Sequence, residues 1–518
     1  MPALALVAGI ATALSLSPLH LLPFAFGHAV LFLTVARAET ARAAALRAWA
    51  WALGYHVVGL HWIANAMLVN AGEHAWLIPF ANLGLPAFLA LFAAAAGALA
   101  WRVFRRGVAL WLGFAAVYAL AEWARGHVLT GFPWNLPAAT IDGWTPLLQP
   151  AALLGAYGLS LSVLVITMAP GLWFDPGAGR RSRIAASGVA AVLLAAMAGW
   201  GLLRMDAMPT VDAPGGAVPD VVIRVVQGNV PQRDKWNPLL KPGHLQRYLQ
   251  LSDPTRQADM RGPGLAEGSR PTVTVWPETA VAQVMGNTPD LVRVLAAAAP
   301  PAGALLFGAP RVARVGPLVS VYNSFFATDP GGRSLWTYDK SHLVPFGEYV
   351  PLRGVLPIEP LVRSRRDFSR GPGLRTQQMS GAPPVSVLIC YEAIFPGAVV
   401  DSEHRPAWLL NATNDAWFGE QSGPHQHLAV ARLRTIEEGL PMVRAANTGI
   451  STVVDAAGRI SVRLGIGETG AIDTRLPVSV PSTFYGKTGD LLFILIAMVL
   501  LAISVFLRFS VSRSKSWG

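Results

Sequence analysis

The sequence predicts a membrane protein, a polytopic α-helical bundle of about eight spans that carries an extramembrane α/β domain. Three observations predict it. Long apolar runs fill the first 200 residues and return at 491–507, the stretch between them has the composition of a soluble domain, and the basic residues gather in short clusters between the apolar runs. Only 14% of the 518 residues are charged while 53% are hydrophobic, against roughly 25% charged in an average soluble protein. An ordinary cytosolic enzyme is therefore not expected. The apolar fraction, the lack of a glycine period and the single cysteine also exclude disorder, a collagen-like repeat and a disulfide scaffold. A formal charge of +11 would suit a nucleic-acid binder if it formed one stripe. Clusters separated by apolar runs are better explained by membrane topology.

Crossing a hydrocarbon core of roughly 30 Å takes about 20 mostly apolar residues as a helix, because no water is present there to satisfy free backbone groups. Eight segments qualify: 3–17, 19–36, 48–69, 76–100, 108–124, 146–173, 184–203 and 491–507. Residues 1–17 lack the basic start of a signal peptide and run directly into the second segment at Pro18, so they read as an uncleaved span. Orientation follows from the basic clusters Arg37, Arg42 and Arg47; Arg102, Arg105 and Arg106; Arg180, Arg181 and Arg183; and Arg508, Arg513 and Lys515. With eight spans these all fall on one side, which is the cytoplasmic side. Both termini are then cytoplasmic. The expected domains are a helical region of about seven spans at 1–204, a periplasmic domain at 205–488, and a last helix with a cytoplasmic tail at 489–518.

Within the outer segment, β-branched or apolar runs predict strands at 221–227, 272–275, 304–308, 322–327, 385–389 and 408–411, with helices at 291–299 and 425–438. That alternation predicts a layered α/β fold. Pro- and Gly-rich stretches at 208–219 and 371–384 read as a domain boundary and a mobile loop.

Three residues in this segment could carry chemistry. Cys390, the only thiol, closes the run Val385-Ser-Val-Leu-Ile-Cys390, and strand ends are where an α/β fold exposes reactive groups to a crevice. A free cysteine also fits as a small buried hydrophobe, so its neighbours must decide. Glu278 follows Pro277 at the exit of Thr272-Val-Thr-Val-Trp-Pro-Glu278, where a shielded carboxylate could act as general base toward a thiol. Lys340 is one of only 5 lysines beside 36 arginines, and a compact ammonium can sit against a developing oxyanion. Together they supply a base, an electrostatic stabiliser and a nucleophile.

The segments Trp276-Pro-Glu278, Lys340-Ser-His-Leu-Val-Pro-Phe-Gly-Glu348-Tyr-Val-Pro351 and Ile389-Cys-Tyr-Glu392 resemble the three catalytic motifs of the nitrilase (carbon–nitrogen hydrolase) superfamily. With membrane spans on both sides, the chain is similar to the apolipoprotein N-acyltransferase family over nearly its whole length. Gln227-Gly-Asn-Val-Pro-Gln232 with Trp236, Phe368-Ser-Arg-Gly371, Asn414-Asp-Ala-Trp-Phe-Gly419, Asn447-Thr-Gly449 and, in the membrane part, Gly131-Phe-Pro-Trp134 fit in order. Asn229, where an Asp is common, and Thr448 depart from the pattern.

The resemblance implies an αββα sandwich for the outer domain and a catalytic triad of Glu278, Lys340 and Cys390. It implies supporting roles for Glu348, Tyr391 and Glu392, and places Trp236 and Trp417 on substrate-binding loops near a lipid entrance. The implied reaction moves an acyl chain from a phospholipid, through a thioester on Cys390, to the N-terminal amine of a diacylglyceryl-modified lipoprotein cysteine. The implied partners are that phospholipid, that apolipoprotein and membrane lipids, with no nucleic acid, and the chain is expected to act as a monomer. No cofactor or metal is expected. Two alternatives stay open on the residues alone: a membrane-tethered amidase or nitrilase that uses water, and a transporter or receptor with a periplasmic binding domain.

Other signals point to structure rather than chemistry. Gly465-Ile-Gly-Glu-Thr-Gly470 matches a dinucleotide-loop pattern, but no long helix follows it. His425 and His427 lack a second ligand pair for a metal. His56, His61 and Asn65 in the third span are expected to hydrogen-bond between helices, and Glu122 with Arg125 reads as an interfacial pair.

Overall fold

Apolar helices and β-strands separate into two units in the computed structural model, which describes residues 1–285, 289–315, 318–351, 361 and 367–514. The first unit comprises Met1–Ala64, Trp76–Ala207 and Ser482–Gly518; the second comprises Asn65–Ala75 and Met208–Pro481.

The first unit is helical. Among the described residues five helices, Ala71–Phe104 (from Trp76 on in this unit), Gly107–His127, Ala151–Phe174, Arg180–Asp206 and Leu491–Ser510, are long and apolar enough to cross a membrane, and the apolar helices Pro2–Ala13 and Leu22–Ala36 are shorter. The third predicted span, 48–69, is displaced toward the N-terminus: the helix runs Ala41–Gly59 and Leu60 breaks it. Arg42 and Arg47, read from sequence as loop charges, therefore lie inside this helix. Arg47 is buried and donates to the Thr34 carbonyl at 3.0 Å and to Glu39 at 3.1 Å. Small residues let the helices touch. A Cβ on Gly9 would stand 1.9 Å from the Trp51 carbonyl oxygen, and one on Gly54 would stand 2.3 Å from that of Leu6, the close backbone approach that small residues permit between membrane helices. Glu122 and Arg125 form a fully buried ion pair rather than an interfacial one. Lys515 of the last basic cluster lies outside the described residues.

The second unit holds the strands β1 (Ala217–Gln227), β2 (Met260–Arg261), β3 (Val273–Val275), β4 (Ala304–Val315), β5 (Leu318–Thr328), β6 (Ser334–Asp339), β7 (Thr376–Gln377), β8 (Val385–Ile389), β9 (Trp408–Thr413), β10 (Met442–Ala446), β11 (Ser451–Val454), β12 (Ile460–Leu464) and β13 (Gly470–Pro477). One sheet has the order β2-β13-β1-β3-β4-β5-β6 and the other β12-β11-β10-β9-β8-β7. The sheets pack face to face: Val225, Val275, Leu306 and Ala327 of the first meet Val387, Leu410, Val443 and Val453 of the second in one core.

Alternate residues turn outward, as the strand period requires. Val226, Leu305 and Phe307 pack on the helices Lys241–Ser252 and Pro289–Ala296 through Tyr248, Leu251, Leu291 and Leu295. Leu388, Leu409 and Met442 pack on the helix Ser422–Glu438 through Ala431. The layering is therefore αββα. Strands covered on both faces read as continuous apolar runs, which is why β1, β8 and β9 are visible in the sequence. The stretch 371–384, expected as a mobile loop, contains β7 hydrogen-bonded to β8.

A buried ion pair ties β1 to β13. Arg224 donates from Nε and Nη2 to the Asp473 carboxylate, both at 2.7 Å, and also holds the carbonyls of Asp253 and Arg256. Removing one partner leaves a buried charge unpaired, which costs about 3–5 kcal/mol, whereas replacing both with apolar groups is close to neutral. Arg224→Met should therefore lower the thermal midpoint of the full-length protein sharply, and Arg224→Met with Asp473→Leu should recover most of the loss. A single variant as stable as wild type would contradict this.

Candidate active site

Glu278 is placed by the end of β3. Trp276 is fully buried and donates its indole N–H to Ser252 at 2.7 Å, Pro277 ends the ladder, and the next residue turns its carboxylate inward. Gly308 on β4 makes room, because a Cβ there would stand 2.4 Å from Thr279 N and 2.8 Å from Glu278 Cα. Both carboxylate oxygens are satisfied: Oε1 accepts from Asn323 Nδ2 at 2.7 Å and Oε2 from the Asn414 backbone N–H at 2.9 Å.

Lys340 follows β6 directly. Its backbone N–H donates to the Asn323 carbonyl at 2.9 Å, and its carbonyl accepts from Gly371 N at 2.8 Å. The ammonium is 1% exposed and lies 2.9 Å from Glu348 Oε2, 3.0 Å from Glu348 Oε1 and 3.8 Å from Glu278 Oε1. Burial works to lower its pKa, but Glu348 and Glu278 outweigh that and raise it above the ordinary lysine value, so it stays charged. Glu348 is fixed by Val344 N–H at 2.8 Å and by Asn323 Nδ2 at 2.9 Å.

Cys390 begins the 3₁₀ turn Cys390–Ile394 at the end of β8, with φ of +51°. A non-glycine residue in that region is strained and persists only where its surroundings dictate it. Two sets of bonds do so here. Glu392 accepts from Ile389 N–H at 2.8 Å on one oxygen, and on the other from Tyr338 OH, Ser341 N–H, Ser341 OH and His342 N–H at 2.7–3.1 Å. It thus bolts the nucleophile turn to the segment that carries Lys340. Behind Cys390, Asn411 donates to the carbonyls of Leu388 at 3.1 Å and Cys390 at 3.5 Å, and Arg444 bonds Asn411 Oδ1. His427 Nε2 lies 3.2 Å from the Cys390 carbonyl and its Nδ1 2.9 Å from Asp415 Oδ1, while Arg444 holds Asp415 Oδ2 at 2.7 Å. Tyr391 is buried with its ring edge-on to Phe395.

Burial and then the Glu278 carboxylate push the Cys390 thiol well above its ordinary pKa, against an opposing pull from Lys340. The resting group is a thiol. Nucleophilic attack then needs the proton to leave as the bond forms, which is general-base catalysis.

The structure brings Glu278, Lys340, Cys390, Glu348 and Glu392 into one buried cluster. Trp236 and Trp417 stay half-buried on two loops joined by Asn414 Nδ2, which donates to Gln232 at 2.6 Å; Lys241 stacks over the Trp236 ring at 5.3 Å. Asn447 joins the same loops, donating to Val230 O at 2.6 Å and Asn414 Oδ1 at 2.9 Å. Among the described residues no group of His, Cys, Asp and Glu is arranged to hold a metal. The 465–470 loop is a turn before β13 whose Gly465 and Glu468 carbonyls are held by Gln227 at 2.7 and 3.0 Å.

Two residues escaped the sequence reading. Asn323 lies mid-strand in β5 and bridges both carboxylates; a lone amide in a strand of aromatic, aliphatic and hydroxyl residues was its only signal. Lys235 is 3% exposed and donates to the Glu278 carbonyl at 3.2 Å; burial lowers its pKa to about 8 against the pull of Glu278 and Cys390.

Asp415 is fully buried, yet Arg444 and His427 overcome the burial penalty and hold its pKa at about 2. It releases its proton more readily folded than unfolded, so it contributes stability that is complete above about pH 4 and is lost as pH falls toward 2. Unfolding followed between pH 5 and pH 2 should show a shallower acid slope in Asp415→Asn than in wild type, and equal slopes would refute this.

Residues 8–169 match the family model described as the apolipoprotein N-acyltransferase N-terminal domain, and residues 241–481 match carbon-nitrogen hydrolase. The chain is 39% identical over 513 residues to an apolipoprotein N-acyltransferase of Rhodopseudomonas palustris, covering 96% of this chain and 94% of the relative. It is 40% identical over 515 residues to that of Bradyrhizobium diazoefficiens, covering 97% and 93%. For that of Caulobacter vibrioides the identity is 37% over 533 residues, covering 99% and 96%. A carbon–nitrogen hydrolase sandwich joined to apolar helices, with end-to-end likeness to these relatives, means that the chain belongs to the apolipoprotein N-acyltransferase family.

Proposed function

We propose that this chain carries out the acyl transfer for which its family is named, in two steps on Cys390. The observation that carries the reading is the buried triad: a thiol at a strained strand exit, a carboxylate with both oxygens oriented, and an ammonium 3.8 Å from that carboxylate. In the first step Glu278 takes the thiol proton while sulfur attacks the ester carbonyl of a phospholipid. The C–O bond breaks, Glu278 returns the proton to the leaving alkoxide, and a lysophospholipid departs from a thioester. In the second step the α-amine of a diacylglyceryl-modified lipoprotein cysteine attacks the thioester. Its proton passes to Glu278 and on to the released sulfur, leaving an amide. Lys340, together with a backbone N–H near Tyr391, stabilises the tetrahedral oxyanion; one such donor contributes about 3 kcal/mol.

The site sits in a bacterial membrane protein. We read the shorter helices Pro2–Ala13, Leu22–Ala36 and Ala41–Gly59 as spans beside the five longer ones, giving eight. The positive-inside pattern of the arginines then supports cytoplasmic termini and a periplasmic catalytic domain at about 205–488, between a helical region at 1–204 and a C-terminal span and tail at 489–518. Acyl chains explain why such an enzyme is membrane-bound, since withdrawing each CH₂ into water costs about 0.8 kcal/mol. Trp236 and Trp417, on the half-buried loops beside Glu278, are the residues we assign to acyl-chain contact, and one chain is the working unit.

Incubation with an acyl-labelled phospholipid should leave one hydroxylamine-sensitive acyl group on the full-length protein, visible as a single added acyl mass, and none on Cys390→Ala. Adding a diacylglyceryl peptide with a free N-terminus should discharge the label to the peptide. Discharge to water at the same rate without the peptide would support a hydrolase instead, and an unlabelled wild type would rule out the thioester.

A further inference from the structure

Lys235 is a buried cation that the two-step scheme does not use. Among the described residues the single hydrogen-bond partner of its ammonium is the neutral Glu278 carbonyl at 3.2 Å, so two of its three N–H donors are unspent at a position 3% exposed. Buried donors left unspent are costly and uncommon. Lys340, by contrast, is shared between two carboxylates. Counting ionised side chains, Glu278, Glu348 and Glu392 with Lys340 alone give the cluster a net charge of −2, and Lys235 reduces it to −1. Any anion formed at the carbonyl under attack would otherwise arise in a buried, still more negative site.

The position is rigid. Lys235 N donates to Pro231 O at 3.1 Å in a tight turn, Gln232 of that turn accepts from Asn414 Nδ2 at 2.6 Å, and Asn414 N–H holds Glu278 Oε2 at 2.9 Å. Lys235 is therefore locked to the general base from the side opposite in sequence to Lys340.

We propose that Lys235 is a further catalytic group of this site, an ammonium that donates to an anionic oxygen of the acyl donor while one N–H stays on the Glu278 carbonyl. The inference rests on the acyl-transfer reading above. The oxygen is either the tetrahedral oxyanion or the phosphodiester of the phospholipid, and both present the same chemistry to a lysine. The charged groups around this site are Glu278, Glu348, Glu392 and Lys340 and, on the far side of Cys390, Asp415 paired with Arg444. The lowered Lys235 pKa agrees with a lysine that awaits a negative partner.

The test uses full-length protein in detergent, with Lys235→Met and Lys235→Gln. Glutamine keeps an N–H for the Glu278 carbonyl but carries no charge, so it separates a catalytic cation from a structural clamp. Single-turnover acylation of Cys390 should slow about 10²-fold in both variants while their thermal midpoints stay near wild type. If p-nitrophenyl palmitate, which has no phosphate, is slowed as much as a phospholipid, the oxyanion is the partner. If only the phospholipid is slowed, the phosphodiester is. Wild-type acylation by Lys235→Gln with both donors would overturn the proposal, and this variant decides the matter should Lys235→Met not fold. Independently, the pH profile of iodoacetamide alkylation of Cys390 should lie lower than wild type below about pH 8 in both variants, because Lys235 is charged there and a nearby positive charge favours the thiolate. If wild type forms no thioester from either donor, the acyl-transfer reading fails, and the alkylation profile still reports whether Lys235 acts on the thiol; an unmoved profile would then count against it.

Discussion

The structure of the carbon–nitrogen hydrolase unit depends on keeping one ammonium buried between two carboxylates. Lys340 with Glu348 and Glu278 is out of water, and charges in such a place must be both paired and hydrogen-bonded or they destabilise the fold. Each requirement recruits an element. Asn323 from β5 reaches both carboxylates, Val344 N–H fixes the second oxygen of Glu348, and Asn414 N–H fixes that of Glu278. The strand ends converge because this polar cluster would otherwise be left unsatisfied between two apolar sheets.

Behind the nucleophile lies a second polar system of different character. Asn411, Asp415, His427 and Arg444 are all fully buried and bonded to one another, and two of them hold the Cys390 carbonyl. They hold a backbone conformation that a non-glycine residue does not adopt unaided. The division is physical. The proposed base, Glu278, belongs to one polar system, and the groups that hold the Cys390 carbonyl belong to the other.

What the sequence made legible follows from burial. β1, β8 and β9 are covered on both faces and stand out as apolar runs; Cys390 and Glu278 are conspicuous because each ends or follows an apolar run, and Lys340 because lysine is scarce in this chain. β6 has exposed and half-buried positions and no apolar run, and β10 to β13 are broken by buried polar residues such as Arg444, Ser451, Thr452 and Asp473 that hydrogen-bond within the core, so periodicity passed them over. The helix Ala41–Gly59 was misplaced because Arg47 was read as a loop charge, whereas its guanidinium is satisfied inside the bundle by Thr34 and Glu39. Glu122 and Arg125 misled in the same way: a pair in sequence does not disclose whether water or protein surrounds it. Lys235 was invisible since nothing in a Pro-rich loop announces that a side chain folds inward onto a carbonyl 43 residues away.

The raised thiol pKa bears on the proposed location. A lone cysteine in an oxidising compartment is exposed to oxidation in proportion to its thiolate character and accessibility. Cys390 is 6% exposed, and burial with the Glu278 carboxylate keeps it protonated at rest. In the proposed scheme reactivity then depends on a substrate carbonyl arriving, because only as the new bond forms would Glu278 receive a proton that the sulfur has become acidic enough to give up. The same carboxylate that suppresses the free thiolate is thus the one proposed to accept its proton. A site poised in this way can keep a nucleophile reactive toward esters without leaving it open to oxidants between turnovers.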